Sequence, residues 1–282
     1  MTRPDLVIQG EHVATADLDA LCRLVQGSAI RQGEAGSFRI AGADPGLREA
    51  VRVRCEASAL DWGFVAPGAR LGDFGLLAMD MDSTLITVEC IDEIADFAGR
   101  KAQVAAVTAR AMRGEIDWAG SLHERVTALA GLEASVLERV WRERIRLTPG
   151  AERLARAARA AGLRTLLVSG GFTYFTDRLR ERLALDEAHS NELAIEDGRL
   201  AGRVTGPLVD AAAKAAHVVR LREALGLPKS RVLAIGDGAN DLAMMAQAGT
   251  SVAYRAKPVV REHATYHLGQ VGLEGVLGLF PP

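Results

Sequence analysis

Cysteine is scarce in this chain: Cys22, Cys55 and Cys90 are the only three in 282 residues, each more than thirty positions from the next. An odd, dispersed set without a CxxC pair excludes a disulfide framework and a cysteine-based zinc centre, leaving buried, unreactive thiols. Excess charge is also missing. Lysine and arginine number 34 against 36 acidic residues, a formal net charge of −2. That balance argues against a broad electrostatic grip on nucleic acid. No apolar run reaches membrane-spanning length, and the first residues do not join a basic start to an apolar stretch. The expectation is a cytoplasmic protein with neither nucleic acid nor membrane as partner. What remains is ordinary for a globular chain, with 49% apolar and 25% charged residues, and room for more than one compact unit.

Residues 1–70 read as short alternating elements: the strand "DLVIQG", the helix "TADLDALCRLV", a hairpin in "AIRQGEAGSFRIAG", the helix "PGLREAVRVRCEASAL" and the strand "WGFVA". The order βαββαβ predicts a small split-βαβ sandwich. A Gly- and Pro-bearing connector, "APGARLGDFG", follows. Apolar strands "FGLLAM", "RTLLVS", "RVLAIG" and "TSVAY" then recur between helical stretches, as in a parallel sheet covered on both faces. "EDGRLAGRV" predicts a hairpin turning at Asp197–Gly198. Residues 89–149 are helical in pattern and too long for a simple crossover, which predicts an insertion over the sheet edge.

Three of those strands end in polar clusters, "DMDST", "SGGF" and "GDGAND", at the carboxyl edge where open α/β sheets bind ligands. Asp80 and Asp82 are two apart on an extended segment, so their carboxylates point the same way and repel. A compensating cation is required. Calcium-loop spacing fails: counting from Asp80, the sixth and twelfth positions are Leu85 and Ile91, and the twelfth from Asp237 is Ala248. "GDGAND" opens like a dinucleotide fingerprint but carries Asp241 where the third glycine belongs, and a carboxylate there repels a pyrophosphate.

Asp80-Met81-Asp82-Ser83-Thr84, Ser169-Gly170-Gly171, Lys214 and Gly236-Asp237-Gly238-Ala239-Asn240-Asp241 resemble, in order and strand context, the four motifs of the haloacid dehalogenase-like phosphatases. With Glu89 and "AMRGEIDWAGSLHERV", the likeness is to their phosphoserine phosphatase branch. The resemblance implies an α/β protein: a Rossmann-like parallel-sheet core over 71–88 and 150–282, a helical cap at 89–149, and a small N-terminal α+β domain, ferredoxin- or ACT-like, at 1–70. It implies Asp80 as the nucleophile toward phosphorus, Asp82 as general acid and base, and Lys214 as a second cation. Mg²⁺ would be held by Asp80, Asp237 and the backbone carbonyl of Asp82, with Asp241 as support. Ser169, Gly170 and Gly171 would hold phosphate oxygens, with Asn240 orienting the phosphate or Lys214. For O-phosphoserine, the resemblance places Glu89 at the ammonium, Arg125 at the carboxylate, and Met112 and Trp118 on an apolar wall. Transfer to an acceptor alcohol such as homoserine is the rival enzymatic reading; a phospho-accepting signalling module or an amino-acid sensor belongs to another class. For the N-terminal unit, dimerisation (a homodimer) and support of the cap are both open.

Overall fold

A computed structural model describes residues 3–282, with the Met112 side chain outside that description. Strands β1 (Asp5–Gln9), β2 (Ala29–Gln32), β3 (Phe38–Ala41) and β4 (Asp61–Val65) alternate with helices α1 (Thr15–Leu24) and α2 (Arg48–Ala57). They lie in the order β2-β3-β1-β4, every neighbour antiparallel. Leu6 and Ile8 alternate onto one face of β1 and pack with Leu18 and Leu21 of α1 and Val51 and Cys55 of α2.

The second block begins with β5 (Leu76–Met79). Four helices follow: α3 (Cys90–Phe97), α4 (Lys101–Met112), α5 (Trp118–Thr127) and α6 (Ser135–Glu143). The chain continues through α7 (Ala151–Ala160), β6 (Arg164–Phe172), α8 (Thr173–Leu183), β7 (Glu187–Glu196), β8 (Arg199–Thr205), α9 (Ala211–Ala224), β9 (Val232–Gly236), α10 (Leu242–Met245), β10 (Thr250–Tyr254) and β11 (Tyr266–Leu268). From β11 to β7 all neighbours are parallel, and only β8 runs antiparallel to its partner β7. The β7–β8 hairpin turns at Asp197 and Gly198, both at positive φ, 50° and 73°.

Central strand β5 shows why its sequence is apolar throughout. Leu77 and Met79 face one core with Leu154 of α7 and Phe175 of α8, while Leu76 and Ala78 face another with Val218 of α9 and Met244 of α10. Buried on both faces, the strand has no solvent side on which to place polar residues.

The two blocks are not separate sheets. β4 pairs antiparallel with β11 through Trp62 and His267, giving one sheet of eleven strands among the described residues, in the order β2-β3-β1-β4-β11-β10-β9-β5-β6-β7-β8. Asp61, at the start of β4, accepts hydrogen bonds from the amides of Gly269, Gln270 and Val271 at 2.8, 2.8 and 3.1 Å. The connector expected from "APGARLGDFG" therefore links two halves of a shared sheet.

Candidate active site

Strands β5, β6 and β9 are parallel neighbours, so the residues after them reach the same edge. Asp80 follows β5 directly. Ser169, Gly170 and Gly171 sit where the β6–β7 register shifts, and Asp237 follows β9. Lys214 arrives from the first turn of α9, whose N-terminus Asp210 caps by accepting the Ala213 amide at 2.8 Å.

The floor of the site is an ion-pair network closed to solvent. Lys214 Nζ donates to Asp80 Oδ1 and to Asp241 Oδ1, each at 2.7 Å. Exposure of the Lys214, Asp80 and Asp241 residues is 1%, 4% and 0%. The other Asp241 oxygen accepts the amides of Asp237 and Gly238 at 3.1 and 3.0 Å, fixing the loop after β9. Gly236 is glycine for space: a Cβ there would fall 2.5 Å from Asp241 Oδ2.

Asp82 lies in the tight turn after β5, where Ser83 takes a left-handed conformation (φ 55°, ψ 2°), a costly choice for a non-glycine residue. The turn lets Asp82 Oδ1 accept the Cys90 amide at 3.1 Å, satisfying one of the free donors at the start of α3. Ser83 Oγ donates to Glu89 Oε1 at 2.9 Å. A Cβ on Gly171 would sit 2.6 Å from Met81 Cε and 2.8 Å from Asp82 Oδ2, so this position too has no room for a side chain. Ser169 Oγ accepts the Gly171 amide at 2.9 Å.

Negative charge is in excess here. Burial, and then Asp241, raise the Asp80 carboxyl well above its ordinary range even with Lys214 attached. Asp82 is pushed up to about 7 by burial and by Glu89, and Asp237 up to about 7 by burial and by Asp241. Burial works against the Lys214 ammonium, but Asp80 and Asp241 outweigh it and hold it charged. Four carboxylates thus crowd around one buried ammonium, an excess of negative charge that a further cation would offset. Oxygens of Asp80, Asp237 and Asp241 lie within 4.8 Å of one another, an all-oxygen donor set of the kind hard divalent ions take. Asp241 is already committed to Lys214 and two amides, which leaves Asp80 and Asp237 as the freer donors.

Above this floor opens a cavity of about 490 Å³. Asp80, Asp82, Ser169, Gly170, Gly171, Asp237 and Asn240 line it from the sheet edge, and Glu89, Asp92, Trp118 and Arg125 from the helical segment. Lys214 and Asp241 lie behind this lining, in contact through Asp80 and the loop after β9. Arg125 is half-buried, with Nε donating to the Ser121 carbonyl at 3.3 Å. Burial lowers its pKa, while Asp92, Glu89 and Asp82 act to raise it. Met112 belongs to α4, but its side chain lies outside the described residues.

Three contributors lie outside the motifs. Asn191 on β7, 1% exposed, donates to the Gly170 carbonyl at 2.8 Å and accepts the Val209 amide at 2.9 Å, so it fixes the glycine loop. Nothing in the sequence marked it. Lys257 and Asp92 both line the cavity. The "ECIDEIAD" spacing, with Asp92 one turn beyond Glu89, was the only clue to the latter.

The haloacid dehalogenase-like hydrolase family model matches residues 74–249, and a domain of unknown function, DUF4072, matches residues 6–51. A phosphoserine phosphatase of Polaromonas sp. is 51% identical over 218 residues, covering 76% of this chain and 92% of its own. The crystal structure of an unliganded probable phosphoserine phosphatase from Vibrio cholerae superposes with a TM-score of 0.84 at 37% identity, over 99% of this chain and 86% of that one. A phospho-aspartyl intermediate analogue of phosphoserine phosphatase matches with a TM-score of 0.69 at 35% identity, over 73% of this chain and 99% of that one.

Proposed function

The chain belongs to the haloacid dehalogenase-like hydrolases, and from that premise we propose how it acts: it is a phosphoserine phosphatase, working through a covalent phosphate on Asp80. One observation carries the reading. The groups suited to phosphorus chemistry (Asp80, Asp82, Ser169) and those suited to an amino acid (Glu89, Arg125) line one cavity.

In this scheme an Asp80 oxygen attacks phosphorus in line, and the bond from phosphorus to the serine oxygen breaks. Asp82, which burial brings to about 7, gives its proton to the departing serine oxygen. It then takes a proton from the water that cleaves the aspartyl-phosphate, releasing inorganic phosphate and restoring Asp80. Lys214 holds Asp80 in place, Ser169 and the Gly170 amide orient the phosphate oxygens, and the Gly171 amide holds the Ser169 hydroxyl on that rim. Asn240 completes that rim. Asp80, Asp237 and the Asp82 carbonyl would hold Mg²⁺, which when bound supplies the charge that lets an anionic nucleophile meet an anionic phosphate. Glu89 receives the substrate ammonium, and Arg125 offers a guanidinium edge to its carboxylate. L-Serine is the product, which suits the last step of serine synthesis in the cytoplasm.

The helical segment 89–149 serves as a cap over the core of 71–88 and 150–282. The N-terminal residues 1–70 form an ACT-like unit, a reading supported by the antiparallel order β2-β3-β1-β4 beneath two helices. Its role is support or pairing with a second copy.

The test is phosphate release from phosphoserine, phosphothreonine and a simple sugar phosphate, each with and without Mg²⁺. Metal-dependent turnover strongest on phosphoserine is expected. Equal rates on the sugar phosphate would remove the amino-acid half of the reading.

A further inference from the structure

The ammonium of phosphoserine has three N–H donors, and the motif residues offer it one carboxylate. Glu89 is not wholly free to serve, since its Oε1 already accepts the Ser83 hydroxyl at 2.9 Å. One helical turn further on stands Asp92. Its amide donates to the Glu89 carbonyl at 3.1 Å, which fixes the two residues three apart at the start of α3 and on the same face. Asp92 lines the same cavity as Glu89 and Arg125. Its carboxylate is partly buried and, among the described residues, has no hydrogen-bond or ion-pair partner.

In the first turn of α3, and within the field of Arg125, the Asp92 carboxylate is favourably placed but closes no hydrogen bond, so its oxygens stay available to a cation in the cavity. Arg125 feels the Asp92 charge through space but does not bond to it: the only side-chain hydrogen bond Arg125 makes among the described residues goes to the Ser121 carbonyl. Its remaining donors stay available to a carboxylate of the substrate.

We propose that Asp92 is a specificity-determining residue that receives the substrate ammonium together with Glu89. The inference rests on the phosphoserine reading and adds a residue to it. Arg125 then reads the carboxylate, and two carboxylates rather than one read the amine. A phosphate ester lacking the amine leaves both Glu89 and Asp92 without a cation, so rejection is built into the ground state of the cavity.

Three substrates separate the roles: phosphoserine, phosphoethanolamine (amine without carboxylate) and phosphoglycolate (carboxylate without amine). For Asp92→Asn, with Asp92→Ala alongside, kcat/KM should fall about ten-fold or more on the two amines, mainly through KM. On phosphoglycolate it should hold or rise. Loss that follows the carboxylate instead would make Asp92 a positioning residue for Arg125 and overturn the proposal, as would equal loss on all three or no loss. Wild-type protein run in parallel keeps the readings apart. If it fails on phosphoserine, the functional assignment falls; if it succeeds and the variants show no amine dependence, only the role of Asp92 falls.

Discussion

The floor and the roof of the cavity are built on opposite physical principles. On the floor, Lys214, Asp80 and Asp241 are shut away from solvent and tied to one another and to the loop after β9 by short bonds, with one Asp80 oxygen left free among the described residues. On the roof, Arg125 and Asp92 are only half covered and sparsely bonded. The floor resembles a finished core whose groups need one cation; the roof is a set of charges awaiting a ligand. Chemistry at phosphorus demands fixed atoms, because preorganised groups need no rearrangement at the moment of reaction. Recognition of a small amino acid can leave its charges unpaired until the substrate arrives.

Three substitutions probe that contrast, in descending order of effect. Asp80→Asn removes the oxygen we propose as the attacking one and should lower turnover by at least about 10⁴-fold. It should also abolish any acid-stable phosphoenzyme in a quench experiment, and a phosphate trapped on another residue would relocate the nucleophile. Lys214→Met leaves two buried carboxylates without their cation. Urea unfolding without added metal should show a loss of about 3–5 kcal/mol. A smaller loss than that from a roof substitution would mean that the floor is no more tightly coupled than the roof. Arg125→Ala should cost about ten- to hundred-fold in kcat/KM on phosphoserine and far less on an ester lacking the carboxylate. Equal loss on both would make Arg125 part of the scaffold instead.

The floor was far more legible in the sequence than the roof. Strand ends such as "LLAMD" and "LAIGD" announce themselves because an apolar run stops abruptly at a carboxylate. A parallel sheet then brings such ends together by geometry alone. Asn191 was invisible because its partners, Gly170 and Val209, are assigned to it only by the packing of β7 against β6. Asp92 resembled any surface charge on an amphipathic helix until the fold brought it into the lining of the same cavity as Arg125. The join between β4 and β11 left no trace either, since a single residue pair and three amide bonds to Asp61 have no local pattern.

That join gives residues 3–70 a second duty. Through Trp62 and Asp61 they act as a hem sewn along the margin of the catalytic sheet, and Arg39 adds a stitch to the carbonyls of Gly278 and Leu279 at 3.1 and 2.6 Å. A chain begun at residue 71 would leave β11 with a raw selvedge of unmet amides and carbonyls, the kind of border onto which other chains add strands. Trimming away the N-terminal unit should therefore cost solubility before it costs catalysis.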